Sequence, residues 1–525
     1  MPFRSPVDDV EIPNLSVFDY LFGSLAAEDA GRIALVDGAS GAETSYGALV
    51  AQIQGLAGGS PARGINPGDV VALHSPNVPA FAAAFHGILR SGAAATTVNA
   101  LYTAGEIESQ LRDSGAKMLI TVSPLLPQAL AAATAAGIER VIVMDGAEGH
   151  ESLRDLLMEQ AAAPDVSFDP ATHVAVIPYS SGTTGKPKGV VLTHRNLVSN
   201  VVQSLALITL TADDSVLAVL PFFHIYGMTV LLNLAMAIRA RLVTMPRFDL
   251  PEFLRIIQDH KITWVFIAPP IAVALAKHPM VDNFDMSSVK VVFSGAAPLD
   301  GELGHAVAKR LDCIVCQGYG MSEMSPVSHV IPTGRDDIPL ETVGITIPNM
   351  ESKLINVETG EEIEVPVEGT SEPGELLCRG PNIMVGYLHN AEATADVLDA
   401  DGWLRTGDIA TVSSEGYVRI VDRLKELIKY KGYQVPPAEL EALLLTHPSI
   451  AEAAVIGVLD AEGEEVPKAF VVLQQGVVLT GDEVMVFVAE HVAPYKKVRQ
   501  VEFIDLIPKS SAGKILRKDL RVARA

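Results

Sequence analysis

Short apolar segments alternate with stretches of helical periodicity between about residues 30 and 320 of this 525-residue chain. The apolar segments, for example 69–74, 117–122 and 263–267, are continuously hydrophobic and do not alternate with polar residues. Continuous hydrophobicity is typical of strands covered on both faces, as in parallel sheets flanked by helices. The pattern therefore predicts an α/β fold, in which stacked, mainly parallel sheets form a large N-terminal domain.

The pattern changes twice in the second half of the chain. Between about residues 340 and 420, short strand-like segments are separated by Gly, Pro and acidic turns, which predicts a small β subdomain. After Asp422, a unit of roughly 100 residues, an ordinary size for a small domain, predicts a compact α+β domain. We therefore expect an N-terminal domain over 1–421 and a C-terminal domain over 422–525, with the charged segment 422–429 at their boundary.

Charge and cysteine content exclude several classes of function. The net charge of −24 argues against a nucleic acid or an anionic membrane surface as partner, so an anionic ligand must find positive charge in local groups of lysines. Only three cysteines occur, which indicates a reducing compartment. Cys313 and Cys316 are spaced as Cys-x-x-Cys, but a strand over 311–316 would place them on opposite faces, and no second pair could complete a zinc site.

The sequence also lacks the usual membrane signals. Its first residues have no apolar core of a signal peptide, and the longest apolar run, near 228–238, is too short to span a bilayer. We therefore expect a cytoplasmic protein without an integral membrane segment. The oligomeric state stays open.

The loop after the apolar run 173–177 has the composition of a phosphate-binding loop. Residues 180–188 contain two glycines, four hydroxyl side chains and two lysines. Glycines let the backbone N–H groups turn toward an anion, and hydroxyl and ammonium groups bind phosphate oxygens. It is not the common P-loop, because Ser180 and Pro187 stand where that motif needs Gly and Ser or Thr. A flexible linker is the alternative, which the two lysines and the preceding strand disfavour.

Five segments together resemble the motifs of the adenylate-forming superfamily, which includes acyl-CoA ligases, luciferases and peptide-synthetase adenylation domains. The loop 179–189 resembles its signature loop. The later segments resemble, in order, its adenine and magnesium motif, its ribose motif, its hinge and its C-terminal catalytic loop: 317–323, 402–408, 422–429 and 511–515. The resemblance spans most of the chain and implies that ATP, Mg²⁺ and coenzyme A (CoA) are used, together with a small carboxylic acid.

The resemblance implies a nucleotide site and assigns roles within it. Tyr319 would stack on adenine, although a core aromatic is the alternative, and Asp408 would accept hydrogen bonds from both ribose hydroxyls. Glu323 and Thr184 would bind Mg²⁺, a hard cation that prefers oxygen ligands; a solvated carboxylate is the alternative for Glu323. The implied ATP- and AMP-binding residues are Ser180, Ser181, Gly182, Thr183, Thr184, Lys188, Gln317, Gly318, Tyr319, Ser322, Asp408, Arg423, Lys425 and Lys514.

Three residues are implied in catalysis by the same resemblance. Lys514 would bring its ammonium group to the carboxylate and the α-phosphate as charge develops in the transition state. His224 would orient the carboxylate or gate the acyl tunnel, and a buried structural histidine is the alternative. Lys429 would act in the second half-reaction, after the small domain has moved.

The family carries out that second half-reaction by rotating the C-terminal domain about a hinge aspartate, here Asp422. The rotation would present Lys431 and Gly432, beside Lys429, to CoA. Arg247 lies where related ligases carry a cation near the CoA nucleotide; an ordinary surface charge is the alternative.

Segments 221–226 and 422–435 resemble most closely the 4-coumarate/cinnamate:CoA ligase branch of the superfamily. The implied acyl-pocket residues are Tyr226, Val230, Ala296 and Gly320. Val230 occupies a position where plant hydroxycinnamate enzymes tend to carry a small polar residue, so medium- or long-chain fatty acids stay open as substrates. A luciferase-like oxygenase and a non-catalytic nucleotide-binding homologue are the remaining alternatives, and the intact set of motif residues disfavours the latter.

Overall fold

The computed structural model describes residues 2–180, 187–430, 433–460, 465–510 and 514–522, with the backbone alone at 433, 434 and 522. Ser181, Gly182, Thr183, Thr184, Lys431 and Gly432, all predicted site residues, lie outside the described residues.

The strands belong to five sheets. In chain order they are β1 (Phe3–Arg4), β2 (Ile33–Asp37), β3 (Glu43–Ser45), β4 (Val70–His74), β5 (Ala94–Val98), β6 (Ala116–Thr121), β7 (Arg140–Val143), β8 (Val174–Val176), β9 (Tyr179–Ser180), β10 (Lys188–Thr193), β11 (Ser215–Ala218), β12 (Arg241–Thr244), β13 (Trp264–Ile267), β14 (Val291–Ser294), β15 (Ile314–Gly320), β16 (Val327–Val330), β17 (Ile345–Thr346), β18 (Glu351–Ile355), β19 (Glu362–Ile363), β20 (Gly374–Arg379), β21 (Gly386–Tyr387), β22 (Leu404–Val412), β23 (Val418–Arg423), β24 (Ile428–Tyr430), β25 (Tyr433–Val435), β26 (Ile450–Leu459), β27 (Glu465–Leu473) and β28 (Gln500–Phe503).

Most helices follow a strand and cover a sheet face. They are α1 (Val17–Phe22), α2 (Tyr46–Gly59), α3 (Pro79–Arg90), α4 (Ala104–Ser114), α5 (Leu126–Ala136), α6 (Leu153–Met158), α7 (His194–Leu205), α8 (Leu234–Ala237), α9 (Leu250–His260), α10 (Pro269–Lys277), α11 (Gly301–Leu311), α12 (Ala391–Val397), α13 (Pro437–Thr446), α14 (Gly481–His491) and α15 (Arg517–Val522). A π-helix, Tyr226–Asn233, precedes α8, and short 3₁₀ turns include Ser322–Met324.

Local sequence sets where these helices begin and end. At α4, Thr103 and Glu106 form a reciprocal capping box, and Gly115 closes the helix in the left-handed conformation. Side-chain caps of this kind satisfy backbone N–H groups that have no partner inside the helix. At α7, Thr193 and Asn196 form the same type of box, which fixes the helix start directly after β10.

Two large sheets, both parallel at their centres, form the body of the N-terminal domain. One has nine strands in the order β17-β16-β15-β14-β13-β11-β12-β2-β3, and its pairs from β15 to β2 are all parallel. The other has eight strands in the order β21-β10-β8-β5-β4-β6-β7, with β9 paired to β10. The predicted α/β architecture is confirmed, because buried, continuously apolar strands occupy the central positions of both sheets.

The predicted β subdomain is the antiparallel sheet β1-β18-β20-β22-β23, with β19 paired to β18. The last part of the chain forms the hairpin β24-β25, the sheet β26-β27-β28 and three helices. Buried hydrophobic residues form one large cluster within 17–418 and separate clusters within 428–498 and 454–520. The domain boundary predicted at Asp422 lies between the first two clusters and stays a prediction.

One local prediction was wrong in detail. The strand predicted over 311–316 begins only at Ile314, because Leu311 ends α11 and Asp312 adopts a left-handed φ of 51°. Cys313 and Cys316 are both free thiols. No helix within the described ranges has the length and apolar character needed to cross a membrane.

Candidate active site

The phosphate loop connects two paired strands at the edge of the eight-stranded sheet. Strands β9 and β10 are antiparallel and place Ser180 opposite Lys188, at the two ends of the segment 181–186. On its other edge β10 pairs with β21, which brings Tyr387 beside it. The Lys188 ammonium group lies 4.7 Å from the centroid of the Tyr387 ring, a cation–π distance.

The same tyrosine contacts the predicted magnesium ligand. Glu323 is buried in the 3₁₀ turn that follows β15, and its Oε1 accepts a hydrogen bond from the Tyr387 hydroxyl at 2.8 Å. Burial and the neighbouring carboxylate raise the pKa of Tyr387, so that the phenol keeps its proton and donates. The Met384 N–H also donates to the Glu323 backbone carbonyl at 2.9 Å. Tyr387 thus connects Lys188 of the loop to Glu323.

Tyr387 was not predicted as a site residue from the sequence. Its role depends on the pairing of β21 with β10, which joins segments almost 200 residues apart. No local pattern around 386–387 predicts that contact. The only indication in the sequence was that an aromatic residue occurs in a region rich in predicted motifs.

The adenine and ribose motifs meet through a short hydrogen bond. The Tyr319 hydroxyl, near the end of β15, donates to Asp408 Oδ2 at 2.5 Å. Strand pairing sets Asp408 opposite Arg423, whose Nε lies 3.4 Å from Oδ1. Burial raises the pKa of Tyr319 well above its usual value, and Asp408 raises it further. A ribose diol would compete with this hydroxyl for the carboxylate, which suits Asp408 to the predicted ribose role.

Lys514 extends from the C-terminal part of the chain into this group of residues. Its ammonium group interacts electrostatically with Arg423, Asp408 and Glu323. The pKa of Lys514 is lowered to about 8, chiefly by burial and also by the charge of Arg423. The Asp408 and Glu323 carboxylates act in the opposite direction. The structure therefore brings together residues predicted from four separate motifs.

The turn that carries Lys514 is held by its own hydrogen bonds. The Ser510 N–H donates to the Lys514 carbonyl at 2.8 Å, and the Lys514 N–H donates to Ser510 Oγ at 3.2 Å. An isolated bridge between Lys509 and Ile515 closes the turn on the outside.

His224 lies two residues before the π-helix that carries Tyr226 and Val230. Burial, followed by the charge of Lys514, lowers the pKa of His224 to about 4, so the imidazole is neutral near pH 7. Its Nδ1 accepts a hydrogen bond from the Tyr226 N–H at 3.3 Å. That bond assigns the ring proton to Nε2, which makes His224 a donor for a carboxylate oxygen.

The predicted acyl-pocket residues lie on a π-helix, in the turn after β14 and at the end of β15. Tyr226 and Val230 belong to the π-helix, a form often found at functional sites. The Tyr226 hydroxyl is buried and has no hydrogen-bond partner among the described residues. Its ring packs on Gly295, where an added Cβ would come within 2.7 Å of it. Ala296, next in the chain, has a φ of 70°, and an added Cβ at Gly320 would meet the Pro326 carbonyl at 2.0 Å.

Other predicted site residues lie outside this group. The Gln317 side chain is hydrogen-bonded to the backbone of Leu299 and Leu340. Arg247, Lys425 and Lys429 have exposed side chains. Lys429 lies on β24, where its N–H donates to Glu465 at 2.8 Å. Ser322 is buried in the turn beside Glu323, and Gly318 packs against Phe293.

The predicted hinge aspartate is buried and fully hydrogen-bonded. Asp422 Oδ1 accepts from the Arg423 N–H at 2.7 Å, and Oδ2 accepts from the Ala438 N–H at 2.8 Å, at the start of α13. Burial raises the pKa of Asp422, and Arg517 acts against that rise. Arg517 is itself paired with Glu441 at 2.6 Å. Asp422 therefore connects the end of β23 to the first helix of the C-terminal part.

Glu323 also fits the oxygen chemistry of a magnesium ion. One carboxylate oxygen is fixed by Tyr387, and the other accepts no hydrogen bond from any described residue. Mg²⁺ commonly takes one or two carboxylate ligands and completes its shell with water and substrate phosphates. Among the described residues no group of three or more His, Cys, Asp or Glu side chains forms an all-protein metal cage.

The chain belongs to the AMP-binding enzyme family, whose pattern it matches over residues 23–388. Residues 439–514 match the AMP-binding enzyme C-terminal domain. Full-length relatives include 4-coumarate–CoA ligase 5 of Oryza sativa subsp. japonica, 42% identical over 100% of this chain and 97% of that protein. Another is 4-coumarate–CoA ligase 1 of Solanum tuberosum, 41% identical over 100% of this chain and 96% of that protein.

Among solved structures of similar proteins, one contains an acyl adenylate and another contains ATP. An anthranilate CoA ligase in complex with anthranoyl-AMP superposes with a TM-score of 0.90 at 26% identity, covering 98% of each chain. ATP-bound MatB from Rhodopseudomonas palustris superposes with a TM-score of 0.87 at 28% identity, covering 97% of this chain and 99% of that one. The similarity extends over nearly the whole chain in each case.

Proposed function

We propose that this protein converts 4-coumarate-type acids to their CoA thioesters in two steps. It is an ATP-dependent, AMP-forming acid:CoA ligase: the acid attacks the α-phosphorus of ATP to give an acyl adenylate and pyrophosphate, and the CoA thiol then displaces AMP. The relatives named 4-coumarate–CoA ligase, which align with this chain from end to end, support the aryl-propenoic acid as substrate.

One observation carries the proposal for the first step. Lys514 is buried and is influenced electrostatically by Glu323, Asp408 and His224, although these residues come from different motifs. A protonated lysine there can stabilise charge that develops as carboxylate and phosphate anions approach each other. His224, neutral and donating from Nε2, can hold the second carboxylate oxygen in line for attack.

The proposed function includes Mg²⁺, which Glu323 would bind. When bound there, the ion would neutralise charge on the ATP phosphates. Lys188 and Glu323 both contact Tyr387, which holds them relative to each other. Thr184 is the proposed second protein ligand.

We assign the second step to residues on the other face of the C-terminal domain. Lys429 lies on the hairpin β24-β25 with an exposed side chain, and we place the two lysines in different half-reactions. Rotation about Asp422 would remove Lys514 and bring Lys429 to the acyl adenylate, with Lys431, Gly432 and Arg247 near CoA. We also propose a cytoplasmic location, because the three cysteines are free thiols, as is usual in a reducing compartment.

A panel of acids tests the function. Purified protein is incubated with ATP, Mg²⁺, CoA and either 4-coumarate, cinnamate or octanoate, and both pyrophosphate and thioester are measured. We expect acid-dependent pyrophosphate release and thioester formation, with aryl-propenoic acids preferred. Thioester from octanoate alone would identify a fatty acyl-CoA ligase. Absence of pyrophosphate release with every acid would indicate a nucleotide-binding homologue without this activity.

A further inference from the structure

Asn77 is a buried asparagine that the proposed function does not use. It lies between β4 and α3 with 2% of its surface exposed. Its Nδ2 donates to the Ala218 carbonyl at 2.9 Å and to the Leu220 carbonyl at 2.8 Å. Its Oδ1 accepts from the Phe222 N–H at 2.7 Å. A flipped amide would place its oxygen against two carbonyls, so these bonds define its orientation. One side chain therefore holds three backbone groups of the segment 218–222.

The peptide group that joins Phe223 to His224 is held at both of its polar atoms. The Thr97 hydroxyl, on β5, donates to the Phe223 carbonyl at 2.7 Å. The His224 N–H donates to the Pro221 carbonyl at 3.1 Å. Because a peptide group is planar and carries the following Cα, these two bonds fix the direction in which the imidazole leaves the backbone.

Asn77 and Thr97 belong to the sheet that carries the phosphate loop. They follow or lie on β4 and β5, which are parallel neighbours in the eight-stranded sheet, and Lys188 is on β10 of that sheet. The segment they hold follows β11 of the nine-stranded sheet. The two side chains therefore set the position of His224 relative to the sheet from which Lys188 extends.

We propose that Asn77 and Thr97 are positioning residues for adenylation, which hold His224 where its Nε2–H meets the carboxylate of the acid. The proposal rests on the proposed function. In-line attack needs the reacting atoms about 3–3.5 Å apart, and a displacement of about 1 Å can lower the rate about 10²-fold. Both residues act through the backbone of 218–223 and not by contact with the substrate.

A double-mutant cycle with His224 tests this assignment. Asn77→Ala and Thr97→Val are each made in the parent and in His224→Ala. Thr97→Val keeps the β-branched shape that suits a strand and removes the hydroxyl. Thr244→Val is the matched control, because its buried hydroxyl on β12 donates to the Val36 carbonyl, at 3.2 Å. We would measure acid-dependent pyrophosphate release, with kcat/KM for the acid that the parent converts best and KM for ATP.

The expected losses depend on the presence of the imidazole. In the parent, Asn77→Ala and Thr97→Val should lower kcat/KM for the acid about 10- to 10²-fold, and by no more than His224→Ala does. In the His224→Ala background each should cost less than about twofold, since no imidazole is left to misplace. KM for ATP, and both constants in Thr244→Val, should stay within about twofold of the parent values.

The outcomes separate this inference from the proposed function. Equal fold losses in the two backgrounds, or no loss from Thr97→Val in the parent, would overturn the positioning role while leaving the ligase activity intact. If the parent releases no pyrophosphate with any acid, the proposed function itself fails. Melting temperatures check folding, and if Asn77→Ala does not fold, Thr97→Val decides by the same comparison.

Discussion

At the scale of single residues, the candidate site depends on side chains whose protonation is fixed by burial. Tyr319 and Tyr387 keep their protons and donate to Asp408 and Glu323. His224 is neutral, and Lys514 is the one group in this set whose pKa lies near the working pH range. Charge in the site is therefore controlled chiefly by Lys514.

The dependence of activity on pH should follow Lys514. Its ammonium form, present below a pKa of about 8, is the one that stabilises the transition state, so kcat/KM for ATP should fall as pH rises through 8. Because the pKa of His224 is about 4, no inflection from this histidine is expected between pH 6 and 7. The residual activity of Lys514→Ala should lack the alkaline decline. A parent profile that stays flat to pH 9.5 would contradict this assignment.

Tyr387 should act on magnesium binding through Glu323. Tyr387→Phe keeps the ring beside Lys188 but removes the hydrogen bond to the Glu323 carboxylate. A hydrogen bond to a charged group contributes about 1.5–3 kcal/mol. We expect the Mg²⁺ concentration for half-maximal activity to rise about tenfold or more. Tyr417→Phe is the matched control, since its hydroxyl donates to Asp337 at the surface, at 3.0 Å. Equal effects of the two substitutions would show that Tyr387 has no special relation to the metal.

At the scale of elements, the acyl pocket depends on close contact between the π-helix and the turn after β14. Gly295 lets the Tyr226 ring lie directly on the backbone. This contact fixes the ring that forms one wall of the proposed pocket, and a longer side chain in the turn would displace it.

Gly295→Ala should therefore weaken acid binding selectively. The new methyl group would lie 2.7 Å from the Tyr226 ring, and overpacking of this kind costs about 1–3 kcal/mol. We expect KM for 4-coumarate to rise about tenfold, with little change in KM for ATP. Gly105→Ala on α4 is the control, because nothing lies within 4 Å of an added Cβ there. A rise in KM for ATP alone would place the 294–297 turn outside the acyl pocket.

Element types were more predictable from the sequence than the contacts between elements. The central strands, such as β4 and β13, are continuously apolar because both faces are covered, and that composition is visible without a structure. The π-helix was not predicted, since a change of hydrogen-bond register leaves no clear composition signal. Tyr387 was missed for a related reason: its contact with Glu323 arises from strand pairing, which joins distant segments.

At the scale of the whole molecule, the site is completed by a residue from beyond the proposed hinge. The large hydrophobic cluster ends at residue 418, whereas Lys514 comes from the part of the chain that packs in separate clusters. Asp422 holds the connection through backbone N–H groups on both sides. The electrostatic contacts of Lys514 with Asp408 and Glu323 suit adenylation, whereas the Lys429 side chain is exposed.

The most direct test is pyrophosphate exchange into ATP, driven by 4-coumarate in the absence of CoA, in Lys514→Ala and Lys429→Ala. Loss of a single group that stabilises transition-state charge costs about 3–4 kcal/mol, so exchange by Lys514→Ala should fall about 10²–10³-fold. Lys429→Ala should exchange within about twofold of the parent, because an exposed surface lysine takes no part in this step. Near-parent exchange by Lys514→Ala, or an equal loss in both variants, would contradict the assignment of the two lysines to separate half-reactions.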